Sequence, residues 1–197
     1  MKKMLLVLVL LVGLLVLFGL GVFAWYVAGY NEAVAKKQAV DKSWADIQAQ
    51  LQRRYDLIPN LVATVKGYAA HEEGIFDEIA KARESYFSAK TSPDQVASAN
   101  HIESVLSRLL MLQENYPTLK ANENFLSLQD ELAGTENRVS VARTRYNDSV
   151  RDLNSFVKSF FGSFFAGRAG VEAAAYFELA KPEAAAAPAV DFAKPAK

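Results

Sequence analysis

The chain has 197 residues, 22 lysines and arginines against 22 aspartates and glutamates, and no cysteine. Balanced charge leaves no basic footprint for nucleic acid, and the absence of cysteine excludes disulfides, thiolate metal sites and thiol nucleophiles. Ala, Leu, Glu, Lys, Arg and Gln are frequent while Gly-Pro-Asn punctuation is sparse, so one all-α domain with appendages is expected.

Lys2 and Lys3 precede an uncharged run from Met4 to Gly29. About 26 residues at about 1.5 Å each make about 39 Å of helix, more than the ~30 Å hydrocarbon core of a bilayer. Trp25, Tyr26 and Tyr30 gather at its far end, where an aromatic belt meets the headgroups. A cleaved signal peptide ending at Val22-Phe23-Ala24 is the rival reading, but its apolar core would span only about 7–15 residues. Residues 1–30 are therefore expected to form a single membrane anchor. Lys36, Lys37 and Lys42 nearly balance the amino-terminal lysines in a positive-inside count. Because Lys2 and Lys3 directly abut the run, they place that end in the cytoplasm and the following domain outside it.

From Asn31 a soluble helix continues the anchor. Val40, Trp44, Ile47, Leu51, Ile58, Leu61, Val65 and Tyr68 alternate steps of three and four, and Arg54 fills the one gap. Gly67 and Gly74 mark its end. A second, shorter helix carries Ile75, Ile79, Ala82 and Tyr86. Ser92 then offers a cap, with Pro93 and Asp94 in the first turn of a third helix. That helix holds Val96, Ile102, Leu106, Leu109 and Leu110 and breaks at Tyr116-Pro117. A fourth carries Phe125, Leu128, Leu132, Thr135, Val139, Ala142, Tyr146, Ser149, Leu153, Phe156 and Phe160 at heptad spacing. Short connections predict an antiparallel four-helix bundle over 31–162, with long first and fourth helices. Residues 163–181 form a membrane-proximal or bundle-capping segment, and the Ala/Pro-rich 182–197 reads as a disordered tail.

The stretch RRYDLIPNLVATVKGYAAHE, from Arg53 to Glu72, interrupts the first seam with polar residues. Burying charge unpaired is expensive, so partners must face them. If the first and fourth helices run antiparallel with facing numbers summing to about 191, Arg54 falls beside Glu136 and opposite Asn137. Arg53, Asp56 and Arg138 then sit at the edges of this polar layer, which Thr135 also approaches. The same count brings Asp46 near Arg145 and Asp41 near Arg151. Pro59 removes a helical hydrogen bond, so a kink is expected near Tyr55, with Asn60 able to bond the freed carbonyls. Such a layer fixes register; the sharper reading makes it a binding or switching site on a bistable helix.

That stretch, together with ENYPTLKANENFLSLQDELAGTENRVSVARTRYND and the YFE and V-D-F near the end, resembles the LemA family from about Tyr30 to Phe192. The resemblance implies an amino-terminal anchor in a bacterial cell membrane followed by an antiparallel helical bundle. It carries over no catalytic residues, and it implies an amino terminus outside the cell, against the lysine placement. Where relatives have a Phe-Pro step, this chain has Phe160-Phe161, so its fourth helix is expected to run further.

If the fourth helix returns to the bilayer, Phe160, Phe161, Phe164 and Phe165, with Phe156, Lys158 and Arg168, suit the membrane interface. The alternative puts Phe156 and Phe160 in the core and the other rings over its end. His71 and His101 occupy different elements and form no HExxH pair, and Glu72, Glu73, Asp77 and Glu78 read as a solvated face. No phosphate loop, nucleophile elbow or paired Glu-x-x-His motif is present, so neither an enzyme nor a cofactor is expected. Two functions remain: a membrane-tethered scaffold or protein-interaction module, with a protein partner or a second copy of the chain, or a ligand- or lipid-sensing domain.

Overall fold

The computed structural model describes residues 2–178; the 182–197 tail with its V-D-F lies outside the described residues. Among these, all regular structure is helical: α1 (Lys2–Tyr55), α2 (Ile58–Lys66), α3 (Glu73–Ser88), α4 (Ser92–Met111), α5 (Pro117–Lys120), α6 (Glu123–Lys158) and α7 (Phe160–Ala169), with a 3-10 turn at Leu112–Glu114. Among the described residues α1 alone is long and apolar enough to cross a membrane, and none of its apolar window is buried. The chain divides into two compact units.

One unit holds α1 as far as Gln48 together with Val141–Tyr176. Ala33, Val40 and Ile47 of α1 are buried, as are Ala142, Tyr146, Val150 and Leu153 of α6. The two helices run antiparallel here: the rings of Trp44 and Tyr146 lie 5.3 Å apart and the Lys36 ammonium sits 5.7 Å from the Phe156 ring. The expected pairs Asp46–Arg145 and Asp41–Arg151 do not form. Arg151 turns to Asp148 at 3.0 Å and Asp41 to Lys37, each on its own helix. Exposed partners three or four positions away need no reach across a groove.

α6 does not run past Phe160 as the missing proline implied. It stops at Lys158, Ser159 becomes extended, and its hydroxyl accepts from the Gly162 amide at 3.1 Å to cap α7. A Cβ at Gly162 would lie 2.0 Å from the Phe156 carbonyl, so only glycine permits this tight re-entry. α7 closes at Gly170, whose φ of 65° is left-handed.

The chain then continues without regular secondary structure and is held against α6. Asn154, buried within α6, donates to the Ala174 carbonyl and accepts from the Ala174 amide, both at 2.9 Å. Tyr146 donates to the Ala175 carbonyl at 2.9 Å.

The other unit holds Ala49–Ser140 and the chain from Phe177. α3 and α4 form an antiparallel hairpin, with Ser85 and Ser98 in hydrogen-bond contact at 3.1 Å. Thr91, rather than Ser92, caps α4 by accepting from the Asp94 amide, with Pro93 in the first turn. Asn122 accepts from the Phe125 amide and donates to the Tyr68 hydroxyl, both at 2.9 Å, so one side chain starts α6 and fastens the end of the α2 segment to it. Instead of a kinked continuous helix, α1 ends at Tyr55 and α2 begins at Ile58. Pro59 has no amide to give the Tyr55 carbonyl, and Leu57 bonds back to Arg54 in a tight turn instead.

Asn154→Ala removes both hydrogen bonds to residue 174 and should cost about 1–3 kcal/mol. Chemical denaturation should show the loss, and amide exchange at 171–176 should accelerate. An unchanged midpoint and exchange pattern would show that the segment around residue 174 does not depend on Asn154.

Candidate functional site

The seam gap at Arg54 is a buried charge. Its residue is 6% exposed, in the last turn of α1. Nε and Nη2 donate to the two carboxylate oxygens of Glu103 in α4, at 2.9 and 2.8 Å. Nη2 also pairs with Glu136 Oε2 of α6 at 2.9 Å. Nη1 donates to the Leu132 carbonyl at 2.6 Å and to the Thr135 hydroxyl at 3.4 Å. The planar fork thus has a directional acceptor at every nitrogen, the condition under which a guanidinium tolerates burial. Burial alone would lower its pKa, but the hydrogen bond and charge of Glu103, then the charge of Glu136, raise it above the usual arginine value.

The residues expected around it separate. Asn137 and Arg138 are exposed and make no contact with Arg54 among the described interactions. One helical turn carries Thr135 and Glu136 towards the seam and turns the next two positions away. Arg53 is likewise exposed, and Asp56 meets Gln52 and, at 3.4 Å, Arg83 of α3. Arg53 and Arg138 line an open groove of about 760 Å³ with Leu57, Leu126, Asp130 and Gly134 among its walls. Pro59 and Asn60 are exposed at the start of α2, and Asn60 has no side-chain partner among the described residues.

Glu103, the principal partner, stands on a third helix, outside any register of facing positions between α1 and α6. Its signal was a carboxylate next to Ile102 on the buried face of α4. Beside this layer Tyr55 is fully buried with its hydroxyl unpartnered, its ring edge-on to Tyr86 at 4.9 Å. Burial, then the charge of Glu103, pushes the Tyr55 hydroxyl well above its ordinary pKa. Burial pushes that of Tyr86 up to about 12. His71 and His101 are exposed, and no group of three metal-ligating side chains occurs among the described residues.

In the unit that carries the amino terminus, Phe160 and Phe161 are exposed by 85% and 58%. Phe160 therefore lies outside the core that its heptad spacing implied. Its backbone belongs to a new helix after the Ser159 break, which ends the α6 register. Phe165 is buried, with its ring 4.8 Å from Trp25 and 6.1 Å from Tyr26. Phe161 also meets Trp25, at 5.5 Å, and Phe164 meets Tyr26, at 6.4 Å.

Removing one arm of the Arg54 layer should reveal unequal partners. Glu103→Ala leaves the guanidinium without its bidentate acceptor and should cost about 3 kcal/mol. Glu136→Ala, at a carboxylate nearly half exposed, should cost about 1 kcal/mol or less. Equal losses in denaturant titrations would contradict this ranking.

A second expectation concerns alkali. Tyr86 titrates near 10 when unfolded and near 12 when folded, so its contribution is complete below pH about 10 and disappears as pH rises towards about 12. Tyr86→Phe should therefore flatten the alkaline fall in stability over that window, and an unaltered slope would refute the assignment.

The LemA family model matches residues 43–192. Among curated relatives, Protein LemA of Metamycoplasma hominis is 25% identical over 168 residues, covering 83% of this chain and 76% of that protein. Magnetosome protein MamQ of Magnetospirillum gryphiswaldense is 24% identical over 178 residues, covering 77% and 63%. Magnetosome protein MamQ 2 of Paramagnetospirillum magneticum is 23% identical over 175 residues, covering 76% and 64%. The matched stretch thus spans less than two thirds of either magnetosome protein. With the family match extending over more than half of its length, the chain belongs to the LemA family.

Proposed function

We propose that this protein is a single-pass, membrane-anchored helical scaffold or protein-interaction module of the bacterial envelope, built as an antiparallel four-helix bundle. The observation that carries this reading is the continuity of α1. The exposed apolar stretch that includes Leu6, Phe18 and Phe23 passes without a loop into the segment where Ala33, Val40 and Ile47 are buried. A helix that leaves the bilayer and becomes part of a packed unit holds that unit at a set height, whereas a flexible linker would let it wander. Such positioning suits a platform that presents helical surfaces to a protein partner or to a second copy of the chain. The reading is supported by the family assignment and by relatives named as magnetosome proteins. Lys2 and Lys3 favour an extracytoplasmic bundle.

A second reading, ligand sensing, draws on the groove lined by Arg53, Leu57 and Arg138 beside the α1–α2 break. A small molecule seated there would bias the turn at Asp56 and Leu57, and a saturable rise in Tm would reveal it.

The anchoring and its sidedness are testable in intact cells, because the chain has no cysteine. The full chain should remain with membranes after alkaline carbonate, while a chain beginning at Asn31 should not. Ser88→Cys, at an exposed position, should react with a membrane-impermeant maleimide before lysis. Reaction only after lysis would move the bundle to the cytoplasm, and a carbonate-soluble full chain would defeat the anchor. Size measurement in detergent and site-directed crosslinking from α3 and α4 should then give discrete oligomers or a defined adduct; a monomer without adducts would count against scaffolding.

A further inference from the structure

We infer that α7 is a second membrane contact, a short aromatic foot that lies in the headgroup region beside the point where α1 leaves the bilayer. The inference rests on the anchoring proposed above and adds a lipid-binding surface to it.

The placement follows from lengths and contacts. A hydrocarbon core of ~30 Å uses about 20 residues of helix. Counted from Lys3, this brings the far boundary to about Phe23, so the next turns, Ala24 to Gly29, stand at headgroup depth. Those are the turns that α7 touches. Trp25 holds Phe161 and Phe165, Tyr26 holds Phe164 and Phe165. The Phe165 ring also lies so close to Gly29 that a Cβ there would be within 2.5 Å of it. Every one of these contacts lies within one compact unit.

α7 keeps an exposed apolar face, of which Phe161 and Phe164 touch α1 only at their edges. Gly162, Phe165 and Ala166 are buried, whereas Phe160, Phe161 and Phe164 remain 85%, 58% and 46% exposed. At 100° per residue those three rings fall within an arc of about 100°. Arg168 lies in the same arc, its guanidinium 5.6 Å from the Phe164 ring. An arginine beside exposed phenylalanines can lay its stem along them and extend its charge to lipid phosphate.

The occupant we assign is the bilayer interface. The patch is continuous with the lipid-facing surface of α1, and any body covering Phe160 and Phe164 must occupy headgroup depth. Ser159 and Gly162 give the chain the sharp turn it needs to leave α6 and lie against α1 at this level.

The test uses the full chain in lipid nanodiscs loaded with one copy each. Single variants F160C, F164C and S155C carry an environment-sensitive fluorophore; Ser155 is exposed on α6. Phospholipids bearing a quencher high on the acyl chain should quench positions 160 and 164 several-fold more than position 155. Aqueous iodide should show the reverse order. Equal behaviour at all three positions would overturn the inference. So would shielding of 160 and 164 that appears only in discs holding two copies, since a second chain would then be the occupant. Because a label replaces a ring, the unlabelled double variant F160S/F164S is a second arm. Amide exchange over residues 160–169 should be faster in this variant than in the parent when both are in discs, and the difference should shrink in detergent to what loss of the Phe164–Tyr26 contact alone produces. Unchanged exchange in discs would also overturn the inference. Failure of α1 as an anchor would appear separately, as a full chain that does not enter discs at all.

Discussion

A guanidinium taken out of water must find its charge and all its donors matched, or the fold that buries it loses several kcal/mol. Arg54 imposes that constraint on its unit. Its fork accepts only a coplanar carboxylate, which selects Glu103 and thereby sets how α4 lies against the end of α1. Its remaining nitrogen faces the Leu132 carbonyl, which sets the register of α6. Around this point the apolar seam has little freedom to slip, since moving α6 by one turn would carry Thr135 and Glu136 away from the charge. The break between Tyr55 and Ile58 belongs to the same arrangement. By ending α1 one residue after Arg54, Pro59 lets α2 take a new direction while Tyr55 stays buried against Tyr86.

The unit with the amino terminus is organised differently. Its helices meet through apolar and aromatic surfaces, and its polar devices act on backbone. Ser159 stops one helix and starts another, Gly170 ends that helix, and Asn154 grips the chain at Ala174 through both its donor and its acceptor. Each answers the same requirement: a backbone that leaves a helix must have its amides and carbonyls satisfied elsewhere. The result is a segment around Ala174 and Ala175 held along α6 and a ring cluster brought to Trp25 and Tyr26. The buried polar groups of this unit satisfy backbone at turns and at Ala174, whereas those of the other converge on one buried ionic cluster.

Helical periodicity was readable because three- and four-residue steps survive in any amphipathic helix, and most seam positions are buried. The proximity of Arg54 to Glu136 could be counted from an antiparallel pairing. Glu103 could not, because nothing in a single chain states which face of α4 meets α1. Asn137 and Arg138 were expected too near the charge because a linear count ignores the 100° rotation between neighbours. Phe160 fits the heptad perfectly as a letter, but the hydroxyl of Ser159 ended the helix first. Local hydrogen bonding overrode a periodicity that extended beyond it.

By itself the sequence determined the apolar span of α1, the all-helical character, the weak point at Pro59 and the presence of a charge needing partners. All of these depend on composition, spacing or covalent chemistry within a few turns of chain. Tertiary structure alone decided which carboxylate takes the Arg54 fork, that Asn154 fastens residue 174, and that Phe160, Phe161 and Phe164 form an exposed face beside Trp25 and Tyr26. Those outcomes depend on residues far apart in the chain reaching the same place, and only the packed backbone sets that geometry.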